Sequence, residues 1–600
     1  MILMTNLYHT FKSLIISAAF GLFSIPMVNA IVARPGVIQA AQPDGSIVNV
    51  RLEGQFGNHR AYSSDGYLLT TDADGFYVFA DCSEDGLPIA TNIRVNNPGQ
   101  RSPEIKAAIS RLDQSRITDA FLRRNEMSTR SGNGPMRGPG LFSSHYPTKG
   151  EQRSIAILVN FSNKTFEIED PNDYYTRQLN EDGFSDDGST GSAREYFVDN
   201  SHGQFLPAFD VYGPVTLAHP IAYYGTNTTW GDDKRAHEMI IEACELLDDE
   251  IDFSQYDCNG DGVIDNVYVY YAGYGEADGG DSTTIWPHSY DIEYCDPGTK
   301  YMFDGVQLNH YACSNEIDFY TKRPAGIGTF THEFSHVMGL PDLYSTDGSS
   351  AFTPGYWSIL DVGSYNNNSC TPPNYSSFER YALDWMEPEV ISAPGVYTLE
   401  PLPSSNKAYM IPTEKNNEYF LFENRQQIGN DKYIPGHGML VWHIEFNQRI
   451  WDDNTVNNDA NHQYVDLIEA DNRKTDKTTS GDSFPGKSNV TNFTEDTKPA
   501  FLSKAGVSPG FNIVDIAESE DGIITFTVEL SSSAGINGTF VEEDNQIIID
   551  GRSASCLAGK ATVFDPAGKT IATLSPTPVT LHPGLYIIST PSSTKKVIIK

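Results

Sequence analysis

Cysteine is scarce in this 600-residue chain: Cys82, Cys244, Cys258, Cys295, Cys313, Cys370 and Cys556 are the seven, widely spaced. They form no Cys-x-x-Cys pair and no dense framework, which excludes a zinc ribbon and a small disulfide-stapled fold. Cys295 and Cys313 could bridge a β-hairpin in an oxidising compartment, and the odd count leaves at least one thiol unpaired. Positive charge is scarce too. Lys and Arg number 41 against 79 Asp and Glu, a formal charge of −38 and a pI near 4.6. Such a surface repels nucleic acid and anionic lipid and attracts cations. Long apolar runs are missing except for Leu14–Val28, which follows Lys12 and ends in Val28-Asn29-Ala30. That run is shorter than a bilayer needs and reads as a secretory signal peptide cleaved after Ala30. No cysteine follows the junction, so neither a lipid anchor nor stable membrane insertion is expected.

What is present is ample core material, 39% hydrophobic and 12% aromatic residues, in a chain long enough for several domains. Histidine is rare, 14 in all, yet two stand four apart in His332-Glu333-Phe334-Ser335-His336-Val337-Met338-Gly339-Leu340-Pro341-Asp342. On a helix, His332 and His336 project from one face and can grip one metal ion. Glu333 is placed to take a proton from a water activated there. Gly339 permits a sharp exit from the helix, returning Asp342 as a third ligand. Three protein ligands and an open position mark catalytic rather than structural zinc.

No Glu occurs between Val337 and Phe378, so a third ligand from a second helix is excluded and the short Gly-x-x-Asp extension takes its place. This extended motif resembles the metzincin-like proteases, and its Asp form resembles the immune inhibitor A family of secreted bacterial zinc metalloproteases. Segments Gly355–Asn368, Tyr419–Gln426, Pro435–Ile444 and Val465–Asp471 resemble that family as well, as does the early stretch from Gln42 to Leu69. The resemblance implies a turn flooring the metal site, with Leu360 where the family has methionine. It also implies an endopeptidase acting on extracellular proteins, with Glu333 as general base. Tyr365, shortly after the floor turn, is a candidate for stabilising the oxyanion.

The expected fold is α+β and multidomain: a metzincin-like protease domain with a twisted mixed sheet, flanked by β-rich domains. Residues 1–30 are the signal peptide and 31–140 a prodomain with an activation linker. Residues 141–397 form the catalytic domain, 398–530 a β-rich accessory domain, 531–538 a linker and 539–600 a small β module. Short strands are expected at Ile47–Leu52, Gly66–Thr71 and Phe76–Ala80, and a helix from Pro103 to Glu126. Arg123, Arg124, Arg130 and Arg137 offer exposed sites for an activating cleavage of a zymogen. Cys82 could also cap the zinc as a latency switch, although a plain turn is the simpler reading. Within the catalytic domain, buried strands are expected at Arg153–Phe161 and Asn266–Gly273, and helices at Ser192–Gly203 and Asp232–Glu250. Val306–Glu316 is expected as the edge strand along which substrate lies.

Asp257, Asn259, Asp261, the Val263 carbonyl and Asp265 have the spacing of a calcium loop, with Gly262 at the turn; Tyr268 replaces the bidentate Glu of an EF-hand. A Gly-x-Ser-x-Gly match at Gly506, Ser508 and Gly510 lacks the following helix of a nucleophile elbow. Residues 539–600 resemble a sorting domain read by the outer-membrane secretion machinery of Gram-negative Bacteroidetes. Zinc and calcium are thus the expected cofactors, and protein or peptide substrates the expected partners. The competing class is a secreted adhesin that kept the protease fold without its chemistry.

Overall fold

The computed structural model describes residues 29–532 except 55–58, 73–74, 84–87, 119–145, 229–232 and 350. It also describes 540–599 except 542–546, 551, 557–559, 567, 583 and 590–593. The leader ahead of Asn29, the arginine-rich activation segment and most of the 531–538 linker lie outside the described residues.

The region expected to be catalytic is built on one mixed six-stranded sheet. Its order runs Asn29–Ala30, His288–Asp291, His310–Ile317, Val267–Tyr274, Gly150–Asn160 and Phe205–Thr216. The last four strands pair in parallel, whereas the first two neighbours pair antiparallel. Val267–Tyr274 is apolar on both faces because helices and loops cover both sides, as parallel strands require. Helix Ala236–Leu247 packs on one face through Met239, Ile240, Ala243 and Leu247. Helices Pro171–Asn180, Ala193–Asn200 and Ile327–Val337 pack on the other through Tyr175, Phe197, Phe330 and Phe334. Ala193–Asn200 starts at a reciprocal cap, in which Ser192 and Glu195 each bind the other's backbone N–H.

Residue placement corrects one expectation. Val306–Leu308 belongs to a separate two-stranded hairpin, and His310–Ile317 is interior to the main sheet. At that end of the sheet His288–Asp291 is the outermost strand but for the two-residue Asn29–Ala30, which pairs with it.

Residues 38–94 form a six-stranded antiparallel meander, joined by turns such as Ser63–Gly66. The helix expected over Pro103–Glu126 is shorter in its described part, with Pro103–Ile109 capped by Ser102. Beyond the catalytic domain, a five-stranded and a three-stranded sheet enclose the aromatic core of Phe420, Phe422, Phe501 and Phe526. The opposite face of the five-stranded sheet shares a core with the metal helix: Leu421, Leu440 and Trp442 lie in one cluster with Phe334, Trp357 and Leu360. The 398–530 region is therefore fused to the protease rather than tethered to it. Residues 540–599 form two four-stranded sheets around a separate small core of Val563, Leu574 and Ile588.

No disulfide joins any of the seven cysteines, and Cys313 lies buried on an interior strand beside His288, so the bridge to Cys295 that the spacing allowed is not formed. Among the described residues no helix is long and apolar enough to cross a membrane.

Candidate metal centre and cleft

Helix Ile327–Val337 carries the centre. It ends where Gly339 takes φ +95°, and the Gly339 and Leu340 amides return to the carbonyls of His336 and Ser335. This tight exit brings Asp342 back over the helix. His332 Nε2 lies 3.1 Å from His336 Nε2, and Asp342 Oδ1 lies 3.3 Å and 3.1 Å from those two nitrogens. All three residues are buried. Each imidazole donates its Nδ1–H to a carbonyl, His332 to Ile359 at 2.7 Å and His336 to Leu340 at 2.8 Å. That fixes the tautomer and leaves two Nε2 lone pairs facing one another. Asp342 Oδ1 has no hydrogen-bond partner. Two facing lone pairs and a buried carboxylate oxygen suit a cation and little else. Among the described residues this is the one cluster of three such groups close enough to share an ion.

Glu333 is fully buried beside the cluster, and burial pushes its carboxyl up to about 8, His332 opposing the rise. Its Oε1 accepts the backbone N–H of Ile31 at 2.8 Å. Residues 29–34 run through the cleft. Asn29 and Ala30 pair antiparallel with Ser289 and His288. The Tyr344 hydroxyl donates to the Ala30 carbonyl, the Trp286 indole N–H to Ile31 O at 2.9 Å, and the Tyr365 hydroxyl to Val32 O at 2.8 Å. Arg34 then forms an ion pair with Asp318 and lies over the Tyr320 ring. Ala30 and Ile31 are completely covered.

Residues 147–391 match the family described as immune inhibitor A peptidase M6, catalytic domain. That stretch is a catalytic domain of the immune inhibitor A type. The chain is 30% identical over 248 residues to the pre-pro-metalloprotease PrtV of Vibrio cholerae, covering 35% of this chain and 27% of that one. It is 25% identical over 319 residues to immune inhibitor A of Bacillus thuringiensis subsp. alesti, covering 44% and 45%. The chain thus spans less than half the length of these relatives.

In this immune inhibitor A-type domain, His332, Glu333, His336 and Asp342 come together as the motif spacing implies. Leu360 is buried in the floor turn, where its carbonyl accepts the Leu343 amide at 2.8 Å. Tyr365 reaches Val32, two residues beyond the peptide held by Glu333, whereas Tyr344 holds the Ala30 carbonyl itself. Cys82 caps nothing at the centre: its thiol donates to Ser83 O, and residues 29–34 fill the cleft.

The calcium-loop residues behave differently. Asp257 accepts the Asp261 and Gly262 amides, Asp261 the Val263 amide, and Asp265 the Cys258 amide. The loop is closed by its own hydrogen bonds, and Asp257, Asn259, Asp261 and Asp265 do not converge as the histidines and Asp342 do. One oxygen of buried Asp265, Oδ1, is left without a hydrogen bond.

Sequence reasoning missed Asn454. Its Nδ2 donates to Asp342 Oδ2 at 2.7 Å while its Oδ1 accepts the Asp342 amide at 2.8 Å. It adopts φ +48°, a conformation asparagine tolerates, and lies 112 residues further along the chain. The one local signal was the Asn-rich run from Asn454 to Asn461, which reads as loop. The Ser508 hydroxyl donates to the Ser531 hydroxyl at 2.9 Å, and His437 and His443 pair with Glu518 and Glu418, away from the centre.

Proposed function

We propose that the chain is a secreted zinc endopeptidase that hydrolyses extracellular proteins and is made as a zymogen. The observation that carries this is the placement of Glu333 between the three-ligand cluster and a peptide nitrogen, with Ile31 N–H at 2.8 Å. His332, His336 and Asp342 would hold the metal, whose charge lowers the pKa of a water and polarises a carbonyl. Glu333 takes the proton of the attacking water and delivers it to the leaving nitrogen. His288–Asp291 binds an extended substrate by antiparallel pairing, the mode its contact with residues 29–30 illustrates.

The filled cleft supports latency. Removal of the leader after Ala30 leaves Ile31–Arg34 under the meander, and further contacts fix the meander to the protease. Arg60 donates to Gly348 O, Ser282 to Gly75 O at 2.8 Å, and His59 stacks on Trp286 at 4.6 Å. A relative named as a pre-pro-metalloprotease agrees with such a precursor. The signal-peptide pattern and the separate C-terminal module support export with a removable sorting domain. Calcium at the Asp257–Asp265 loop rests on the unpartnered oxygen of Asp265. A purely adhesive role gives no account of a fully buried Glu333 beside three ligands.

Replacing Glu333 with Gln in the processed protein tests the central claim. Metal content is expected to stay at the parental level while hydrolysis of casein falls by at least a thousandfold. Activity within tenfold of the parent would refute the assignment.

A further inference from the structure

Residues 29–31 display how a peptide lies in the cleft: Ala30 pairs with His288, the Ile31 nitrogen faces Glu333, and the carbonyl of the intervening peptide faces Tyr344. The nitrogen is thus at the proton carrier, so the Ala30–Ile31 linkage sits where a scissile bond must sit. The Tyr344 ring is buried, and its neighbours include Asp342 and Glu333. It follows Asp342 by two residues, in a loop held at both ends. Leu343 N bonds Leu360 O at 2.8 Å, Asn457 donates to Leu343 O at 2.8 Å, and Thr346 donates to Asn454 O at 2.7 Å.

From this geometry we infer that Tyr344 is a catalytic residue whose hydroxyl donates to the scissile carbonyl and to the oxyanion that replaces it. The inference rests on the metalloprotease reading above and names a residue that reading does not need. As water's oxygen bonds to the carbonyl carbon, the carbonyl π pair moves onto oxygen and one water proton moves to Glu333. The C–N bond then breaks, and that proton goes to the departing nitrogen. Tyr344 keeps its own proton throughout. A donor preorganised in a dry site is worth far more to the developing negative charge than to the neutral carbonyl. Its loss is therefore felt in kcat and not in KM.

The test uses the full chain after proteolytic removal of the prodomain, with metal content and Tm measured alongside. Tyr344→Phe is expected to retain metal and fold, to lower kcat roughly 100-fold and to leave KM within about threefold. A phosphinic peptide, whose tetrahedral oxygens mimic the oxyanion, should lose affinity in the same proportion by calorimetry. Tyr344→His, which keeps a donor, should recover part of the loss, and serves as the comparison if the Phe variant does not fold. If kcat stays within threefold of the parent, or the phosphinic peptide binds the variants as tightly as the parent, Tyr344 only pins the leader segment. Absence of chelator-sensitive hydrolysis in the parent itself would instead overturn the protease reading.

Discussion

At the residue scale the centre depends on a partner outside its own motif. Asn454 grips Asp342 from both sides, so its role is to orient a ligand rather than to bind metal. Asn454→Ala is expected to weaken metal affinity by about 10- to 100-fold, measured by competition with a chromogenic chelator. An unchanged affinity would show that the Gly339 turn alone fixes Asp342. The motif residues were legible because ligand spacing on a helix is a local matter. Asn454 was not, because its contact spans 112 positions and nothing in an Asn-rich loop distinguishes the residue that folds back. Tyr365 and Tyr344 both reach the segment in the cleft, at Val32 O and Ala30 O. Which carbonyl each tyrosine meets is decided by where that segment crosses, and the crossing is made by residues far upstream.

At the element scale the metal helix is held against the floor turn by the absence of side chains. A Cβ on Gly328 would meet the Ser364 carbonyl at 2.0 Å, and one on Gly326 the Ser369 carbonyl at 2.3 Å. In an isolated helix Ala would be favoured over Gly by about 1 kcal/mol. Here that preference is reversed: Gly328→Ala must push the floor turn away and is expected to destabilise by about 1–3 kcal/mol. A raised Tm would contradict the packing. The joint with the accessory sheets rests on Arg425, fully buried with Glu423 and Asp431, its Nη2 donating to Asn374 O at 3.0 Å. Arg425→Met strands two buried carboxylates and is expected to cost about 3–5 kcal/mol in denaturant unfolding. The texture change near residue 397 was visible in the sequence, but it marks a change of sheet and not an independent unit. Both faces of a β-strand are equally apolar in such a joint, so composition cannot say which neighbour each face packs on. Likewise, residues 306–316 read as a strand without announcing its rank in the sheet.

At the scale of the whole molecule, burial raises several carboxyls together. Glu276 and Asp482 are pushed up to about 8, and Glu469 and Asp278 to about 7, burial being the main cause in each. Each binds a proton in the folded state that it has lost in the unfolded chain above about pH 5. Stability is therefore expected to fall as pH rises from about 5 through 8, read as a declining Tm across that window. Glu276→Gln should flatten the decline, since Asn227 can still hydrogen-bond the amide oxygen. A Tm that rises over the same range would mean these groups are ionised in the fold. The terminal module has its own small core, so deleting residues 540–600 is expected to leave proteolysis intact and to retain the enzyme in the periplasm. Loss of activity in the purified truncated protein would make the module structural.

The occupied cleft also has a consequence for how activity would emerge. While the meander and the catalytic domain share one chain, the occluding residues act at the effective concentration of an intramolecular ligand. Cutting between residues 118 and 146 breaks no contact made by Ala33, Arg34, His59 or Arg60. It only turns the blocker into a separate molecule obeying mass action. On the zymogen reading proposed above, activation would be a matter of dilution: a nicked pair would stay silent in a concentrated stock and wake once secretion spread it through a volume large enough for the halves to part.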